Sequence, residues 1–318
     1  MSSSVAFSRE LNYTSAMRFT VQSAGSNDLG AAFRMLAAFR PLPDRDRAAE
    51  RYRELFASGE LDPAGLFVAR DEAGAIRGAI LVQVMPGALG LTWPPVTERR
   101  NRAAIEDALV SGACDWLRSR GVKVCQAFAS ELERDSLAAL VRHGFRHVAQ
   151  LLDMKCEPHS IIGPDSRVTF EPVGLENRAE FAATMLATYE GSLDCPESTG
   201  CRTDAELLEG IADPAASKEH WFLARVANGA VGVVLLDGDN EPGTFELTYL
   251  GLKPNFRGRG LGRELMRFAL FHAENAGGST VVLSVDARNE PAIRLYRTHE
   301  FQASGEREVF LAAWPTIS

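Results

Sequence analysis

The 318-residue chain has only five cysteines, Cys114, Cys125, Cys156, Cys195 and Cys201, and no two stand in a Cys-x-x-Cys pair. An odd, scattered set argues against a disulfide framework or a cysteine-based zinc site, and implies reduced thiols in a cytoplasmic protein. Long apolar runs are missing, so no membrane span is expected. The opening Met-Ser-Ser-Ser-Val-Ala-Phe-Ser-Arg-Glu also lacks the apolar core of a secretory leader. Positive charge is short: 34 Lys and Arg against 42 Asp and Glu leave a net charge of −8. A nucleic-acid partner, which needs a basic face, is therefore not expected. No Cys or Ser sits in a recognisable nucleophile motif, which leaves covalent catalysis without a candidate. The composition, 46% hydrophobic and 24% charged, is that of an ordinary globular protein. Its length suggests two domains.

The richest stretch is residues 246–263, Glu-Leu-Thr-Tyr-Leu-Gly-Leu-Lys-Pro-Asn-Phe-Arg-Gly-Arg-Gly-Leu-Gly-Arg. Apolar and aromatic residues run to Leu252 and read as a strand stopped by Pro254, which cannot donate to a ladder. Leu261, Leu265, Phe268 and His272 recur every three or four residues, and Gly277-Gly278 ends the helix they predict. Between strand and helix, Gly258, Gly260 and Gly262 leave backbone N–H groups open at a helix N-terminus, which suits a pyrophosphate. Arg257, Arg259 and Arg263 add full charges. The loop lacks the Lys-Ser/Thr pair of a nucleoside-triphosphate site. It also lacks an acid ending the next strand to hold a dinucleotide ribose. Asp286 comes after that strand and leads into Asn289-Glu290-Pro291-Ala292-Ile293-Arg294-Leu295-Tyr296, where Asn289 is a good N-cap and Pro291 sits in the first turn.

Arg-x-x-Gly-x-Gly, then a helix, a strand and Asn-x-x-Ala-x-x-x-Tyr, resembles the coenzyme A site of the GNAT acetyltransferases over roughly residues 220–312. The resemblance implies acetyl-CoA as co-substrate and no metal. It implies coenzyme contacts at Leu250, Gly251, Leu252, Arg257, Gly258, Arg259, Gly260, Leu261, Gly262, Arg263, Asn289 and Ala292. The coenzyme is expected to enter where two strands part, after Leu252 and Val285.

The chain also repeats itself. Gly65–Arg70 followed by Gly78–Val82 parallels Trp221–Arg225 followed by Gly232–Leu236. Leu140–Phe145 parallels Tyr296–Phe301 at an offset of 156. The fold expected is α/β: two tandem GNAT-like domains, each a mixed, mostly antiparallel twisted sheet flanked by helices. A degenerate domain over 1–157, a Pro/Gly/Ser linker over 158–166 and an active domain over 167–318 follow from that reading. At the same offset, Arg257, Gly260 and Gly262 fall on Asn101, Ala104 and Glu106. Side chains there would obstruct a phosphate, and Glu106 would repel it. The equivalent of Tyr296 is Leu140.

Acetyl transfer to an amine needs a neutral amine, a polarised carbonyl and a protonated leaving thiolate. The resemblance puts Tyr296 beside the coenzyme sulfur as proton donor. Strand alternation puts Glu246, Thr248 and Leu250 on one face and Phe245, Leu247 and Tyr249 on the other. Glu246 could then take the amine proton, directly or through water. Gly251 inside a strand predicts a bulge or a close backbone approach. A tandem chain with a degraded first half is similar to the mycothiol synthase family. That likeness implies a small-molecule amine acceptor, with Glu246 as base and Glu190, in the polar stretch after the half's first helix, as an acceptor contact. The expected function is direct N-acetylation by a cytoplasmic monomer without nucleic-acid or membrane partners. The alternatives are a non-catalytic acyl-CoA-binding module and an acyltransferase for longer chains.

Overall fold

The structure, a computed structural model, describes residues 8–11, 19–159, 161–165, 167–211, 218–227, 229–238 and 242–314. Ser160 and Ser166 of the expected linker lie outside the described residues. The chain divides into two compact units. Unit 1 is Met1–Val148, Gly200–Thr203 and Glu308–Ser318, and unit 2 is Ala149–Thr199 and Asp204–Arg307.

Unit 1 contains β1 (Ser8–Leu11), β2 (Phe19–Ser23), α1 (Leu29–Leu36), α2 (Arg45–Ser58), β3 (Leu66–Arg70), β4 (Ile76–Met85) and β5 (Leu89–Thr92). It continues with β6 (Val96–Thr97), α3 (Arg102–Ser119), β7 (Val124–Ala129) and α4 (Leu137–Arg142). β8 (Arg146–Cys156) then leads the chain into unit 2. There follow β9 (Thr169–Pro172), α5 (Arg178–Tyr189), α6 (Asp204–Ile211), β10 (Trp221–Val226), β11 (Gly229–Gly238) and β12 (Thr244–Leu252). The chain closes with α7 (Leu261–Asn275), β13 (Thr280–Asp286), α8 (Glu290–Arg297) and β14 (Gln302–Ala313).

Each unit's sheet takes a strand end from across the sequence. Leu151–Cys156 of β8 pair with β13 in unit 2, and Glu308–Ala313 of β14 pair with β7 in unit 1. Each unit is a mixed, mostly antiparallel sheet flanked by helices, as the sequence implied. In unit 2 the β9–β10, β10–β11, β11–β12 and β8–β13 pairs are antiparallel, whereas β12–β13 is parallel.

The unit 2 sheet is covered on both faces. Leu265, Met266, Ala269, Leu270 and Ala273 of α7 are essentially fully buried against Val231, Leu236, Val281 and Leu283. Of the residues whose spacing predicted the helix, Leu265 is in this core and Leu261 and Phe268 pack against it partly buried; truncating Leu265 to Ala costs about 2–5 kcal/mol. Phe181 and Met185 of α5 pack with Trp221, Leu223, Val233 and Leu235 on the other face. Helix α7 stops where the glycines predicted: Gly277 takes φ +89° and Gly278 N–H donates to Ala273 O at 2.8 Å.

Candidate active site

The site forms where β12 and β13 part. Their parallel pairing covers only Thr244↔Thr280, Phe245↔Val281 and Glu246↔Val282. The strands therefore separate before Leu247 and Leu283, earlier than the expected point after Leu252 and Val285. The cause is a bulge at Thr248. Tyr249 opposes Leu235 while Leu247 opposes Leu236, so Thr248 is an extra residue that bends the strand.

The same bulge corrects the expected faces. Phe245 and Leu247 join the α7-side core, and beyond the bulge Leu250 and Leu252 pack on that side too. Tyr249 turns to the α5-side cluster, opposite to the face that simple alternation gave it. There its hydroxyl pairs with Thr188 Oγ1 at 2.9 Å, and its ring meets Tyr189 edge-on. Burial raises its phenol above the ordinary value, against the pull of the Thr188 hydrogen bond. Gly251 makes the close approach its position predicted. A Cβ there would lie 2.6 Å from the Tyr249 ring and 2.9 Å from Thr188.

The parted strands enclose a cleft of about 340 Å³. Of the expected coenzyme contacts, Leu250, Gly251, Leu252, Arg257, Asn289 and Ala292 line it, together with Tyr296. Asn289 caps α8 by accepting from Ala292 N–H at 3.3 Å, which fixes the turn between β13 and that helix. Tyr296 is half-buried, stacks at a tilt on Phe301, and makes no side-chain hydrogen bond among the described residues. Burial first, and then the nearby Asp194 charge, hold its phenol above the ordinary value of 10.0. It is thus a protonated donor at neutral pH.

Gly260 caps α7 in the left-handed region at φ +80°, and Gly258 takes φ +71°. Arg259, Gly260, Leu261 and Arg263 line an adjoining groove of about 880 Å³, joined by Arg167, Arg225 and Arg267. Gly262 lies in the first turn of α7, under Leu295. Arg257 has a different employment from the phosphate contact expected. Its guanidinium donates to Thr188 O at 2.8 Å, Gly191 O at 3.1 Å and Leu252 O at 3.0 Å, tying the end of α5 to the end of β12.

The two expected acids stand outside the cleft lining. Glu246 is exposed on β12, one residue before the lining begins at Leu247. Glu190 is exposed at the C-cap of α5. The acid that does line the cleft is Asp194, with Ser192 and Leu193 beside it. Sequence reasoning left Asp194 without a role, because its direction depends on contacts 92 residues away: Asp286 N–H donates to its Oδ1 at 3.0 Å. Asp286 is completely buried and in turn accepts from Cys195 N–H at 3.1 Å. Burial alone would raise the Asp286 carboxyl, but the Arg288 side chain and backbone bring it below its ordinary value. Arg288 also grips Glu197 through two bonds of 2.6 and 2.9 Å. The stretch from Gly191 to Glu197 is thus fastened by Arg257 at one end and Arg288 at the other.

Residues 186–301 match the model of the Acetyltransferase (GNAT) family. The chain carries a GNAT domain. Mycothiol acetyltransferase of Streptomyces avermitilis is 28% identical over 170 residues, covering 49% of this chain and 55% of that protein. The N-alpha-acetyltransferase RimI of Mycobacterium tuberculosis is 35% identical over 95 residues, covering 29% and 58%. The chain spans about half the length of these curated relatives. A GCN5-related N-acetyltransferase from Sphaerobacter thermophilus matches in fold over 94% of this chain and 97% of its own, with TM-score 0.63 and 22% identity. The fold of the whole chain, and not of the matched domain alone, therefore has a GNAT counterpart.

Proposed function

We propose that unit 2 moves an acetyl group from acetyl-CoA directly to a primary amine. The observation that carries this reading is the parting of β12 from β13, which opens β12 beyond Glu246 beside a glycine-bounded helix N-terminus and the Tyr296 phenol. The residues fit such a co-substrate. The open Gly260 turn leaves space that a side chain would fill, and the arginine-lined groove suits phosphate. Acetyl-CoA supplies the acyl thioester. Backbone N–H groups at Leu250 and Leu252 orient and polarise its carbonyl. The α7 N-terminus with Gly258, Gly260, Gly262, Arg259 and Arg263 binds the pyrophosphate, while Asn289 and Ala292 shape the wall along the pantetheine. Tyr296 gives its hydroxyl proton to the leaving thiolate. Glu246 takes the amine proton through water, since it stands just outside the lining.

The matched relatives favour two acceptor types: a mycothiol-precursor-like small molecule, with Glu190 at the acceptor, or a peptide N-terminus. The first half we take as a scaffold without its own coenzyme. The test is thiol release from acetyl-CoA across aminosugar thiols, amino acids, peptides and simple amines. The account expects one class to react, with both substrates bound before either product leaves. Tight acetyl-CoA binding with no acceptor raising thiol release above hydrolysis would favour a sensor module. Preference for longer acyl thioesters would favour the other alternative.

A further inference from the structure

We infer that Asp194 is the anionic contact that selects and orients the acceptor's protonated amine, so that acceptors are cations when free; this rests on the acyl-transfer reading above. Four ionisable side chains line the cleft: Asp194, Tyr249, Arg257 and Tyr296. Asp194 is the one acid among them. The one cation, Arg257, is already committed to three backbone carbonyls and offers the acid no ion pair. The other nearby cation, Arg288, is held by Asp286 and Glu197. Asp194 therefore lines the cleft with no salt bridge among the described residues.

Its orientation is fixed. Oδ1 accepts the Asp286 N–H, and the next residue, Cys195, is held at φ +43° with its own N–H on Asp286 Oδ2. Oδ2 of Asp194 makes no hydrogen bond among the described residues. Asp194 shares the cleft lining with Tyr249 and Tyr296, and its charge raises both phenols, so it stands within electrostatic reach of the proposed proton donor. Asp194 is an exposed residue, yet desolvation of its carboxyl by the surrounding atoms, and then the Asp286 charge, push it above its ordinary value, with the Asp286 N–H and the Arg288 charge opposing. A donor cation relieves that cost by supplying both charge and a hydrogen bond.

A metal ion is a poorer match than an ammonium. Asp194, Cys195 and Asp286 lie close enough to share one. But Asp286 already accepts four hydrogen bonds, from Cys195 N and from Arg288 N, Nε and Nη2. The Cys195 thiol is pushed up to about 12, first by burial and then by the Asp194 charge, which withholds the thiolate a metal needs.

The test compares cyclohexylamine, a cation at neutral pH, with aniline, a ring amine that is neutral there. Asp194→Asn keeps the oxygen that accepts from Asp286 N–H and removes the charge. Its KM for cyclohexylamine should rise about 10- to 100-fold, the range for a lost charge-assisted contact. Its KM for aniline and its acetyl-CoA affinity should hold within about threefold, and Asp194→Glu should recover part of the loss. Equal changes for the two amines, or none, would overturn the assignment. If the parent acetylates neither amine, calorimetric titration of cyclohexylamine into the coenzyme A-loaded parent and Asp194→Asn decides. Binding lost in the variant supports the ammonium site, and no binding in the parent rejects it. Failure of the parent to bind acetyl-CoA would instead overturn the underlying acyl-transfer reading.

Discussion

The two halves part the same pair of parallel strands and differ in what the freed segment can donate. In unit 1 β5 pairs with β7 from Leu89↔Val124 to Thr92↔Ala127, and β6 beyond it pairs with β4 alone. In unit 2 only Thr244–Glu246 of the longer β12 pair with β13, and the remainder runs free to Leu252. The register beyond the parting can be compared directly. Gly78↔Thr97 on one side and Gly232↔Leu252 on the other put Pro94 and Pro95 where Tyr249 and Leu250 stand. Proline has no N–H, so the first half has lost the donor that Leu250 could offer to an acyl carbonyl or a pantetheine. A site of this kind thus depends on keeping one strand edge unpaired and able to donate.

The helix starts differ in the same direction. Asn101 caps α3 at φ +57°, in the place where Gly260 caps α7 at φ +80°. The constant offset of 156 had set Ala104 against Gly260; the two caps show an offset of 159 at this turn. Glu106 does not project toward a phosphate as that offset implied. It is buried, with Arg102 Nε 2.7 Å from its carboxylate and Ser136 beside it. Burial raises its pKa despite these partners.

The largest effect expected falls on Tyr296. Tyr296→Phe should lower turnover by about 10²–10⁴-fold, with acetyl-CoA affinity nearly unchanged. Parental turnover would remove the phenol from the mechanism. Leu140, its counterpart in the first half by spacing, should tolerate exchange to Met without any kinetic change. Arg257→Ala comes next. It removes three hydrogen bonds between α5 and β12, so acceptor KM should rise about tenfold while coenzyme affinity changes less. An equal loss in coenzyme affinity would return Arg257 to the phosphate role.

A smaller effect concerns pH. The form of Tyr296 that works is the protonated one, and its pKa is raised above 10.0. Ionisation of the phenol should therefore cause no loss of turnover between about pH 8 and pH 10, where an unperturbed tyrosine would begin to titrate. A basic limb in that interval that vanishes in Tyr296→Phe would contradict the burial argument. Glu246→Gln should cost most near neutral pH and recover partly as more of the acceptor becomes neutral, and a profile parallel to the parent's would leave Glu246 a positioning role.

Much of unit 2 was legible because its signals are local. Leu261, Leu265 and Phe268 mark α7, Gly277-Gly278 stops it, and Asn289 and Pro291 open α8; each acts within a turn or two of chain. The bulge at Thr248 was not legible, since threonine suits a regular strand and only the pairing with Leu235 and Leu236 shows the extra residue. The direction of Arg257 depends on α5, more than sixty residues earlier. Asp194 was passed over for the same reason: its partner Asp286 is distant in sequence, whereas Glu190 and Glu246 were selected by spacing alone. The passage of β8 and β14 between units follows from strand partners that no local pattern specifies.

The central claim is that the chain has one coenzyme site and that it lies in unit 2. Calorimetric titration of the full chain with acetyl-CoA tests it most directly, using a matched pair of changes at the two left-handed helix caps. The account predicts one acetyl-CoA per chain, binding abolished by Gly260→Glu in a protein that still unfolds cooperatively, and binding preserved by Asn101→Glu. Two molecules per chain with one lost in Asn101→Glu, or a single site that survives Gly260→Glu, would contradict it.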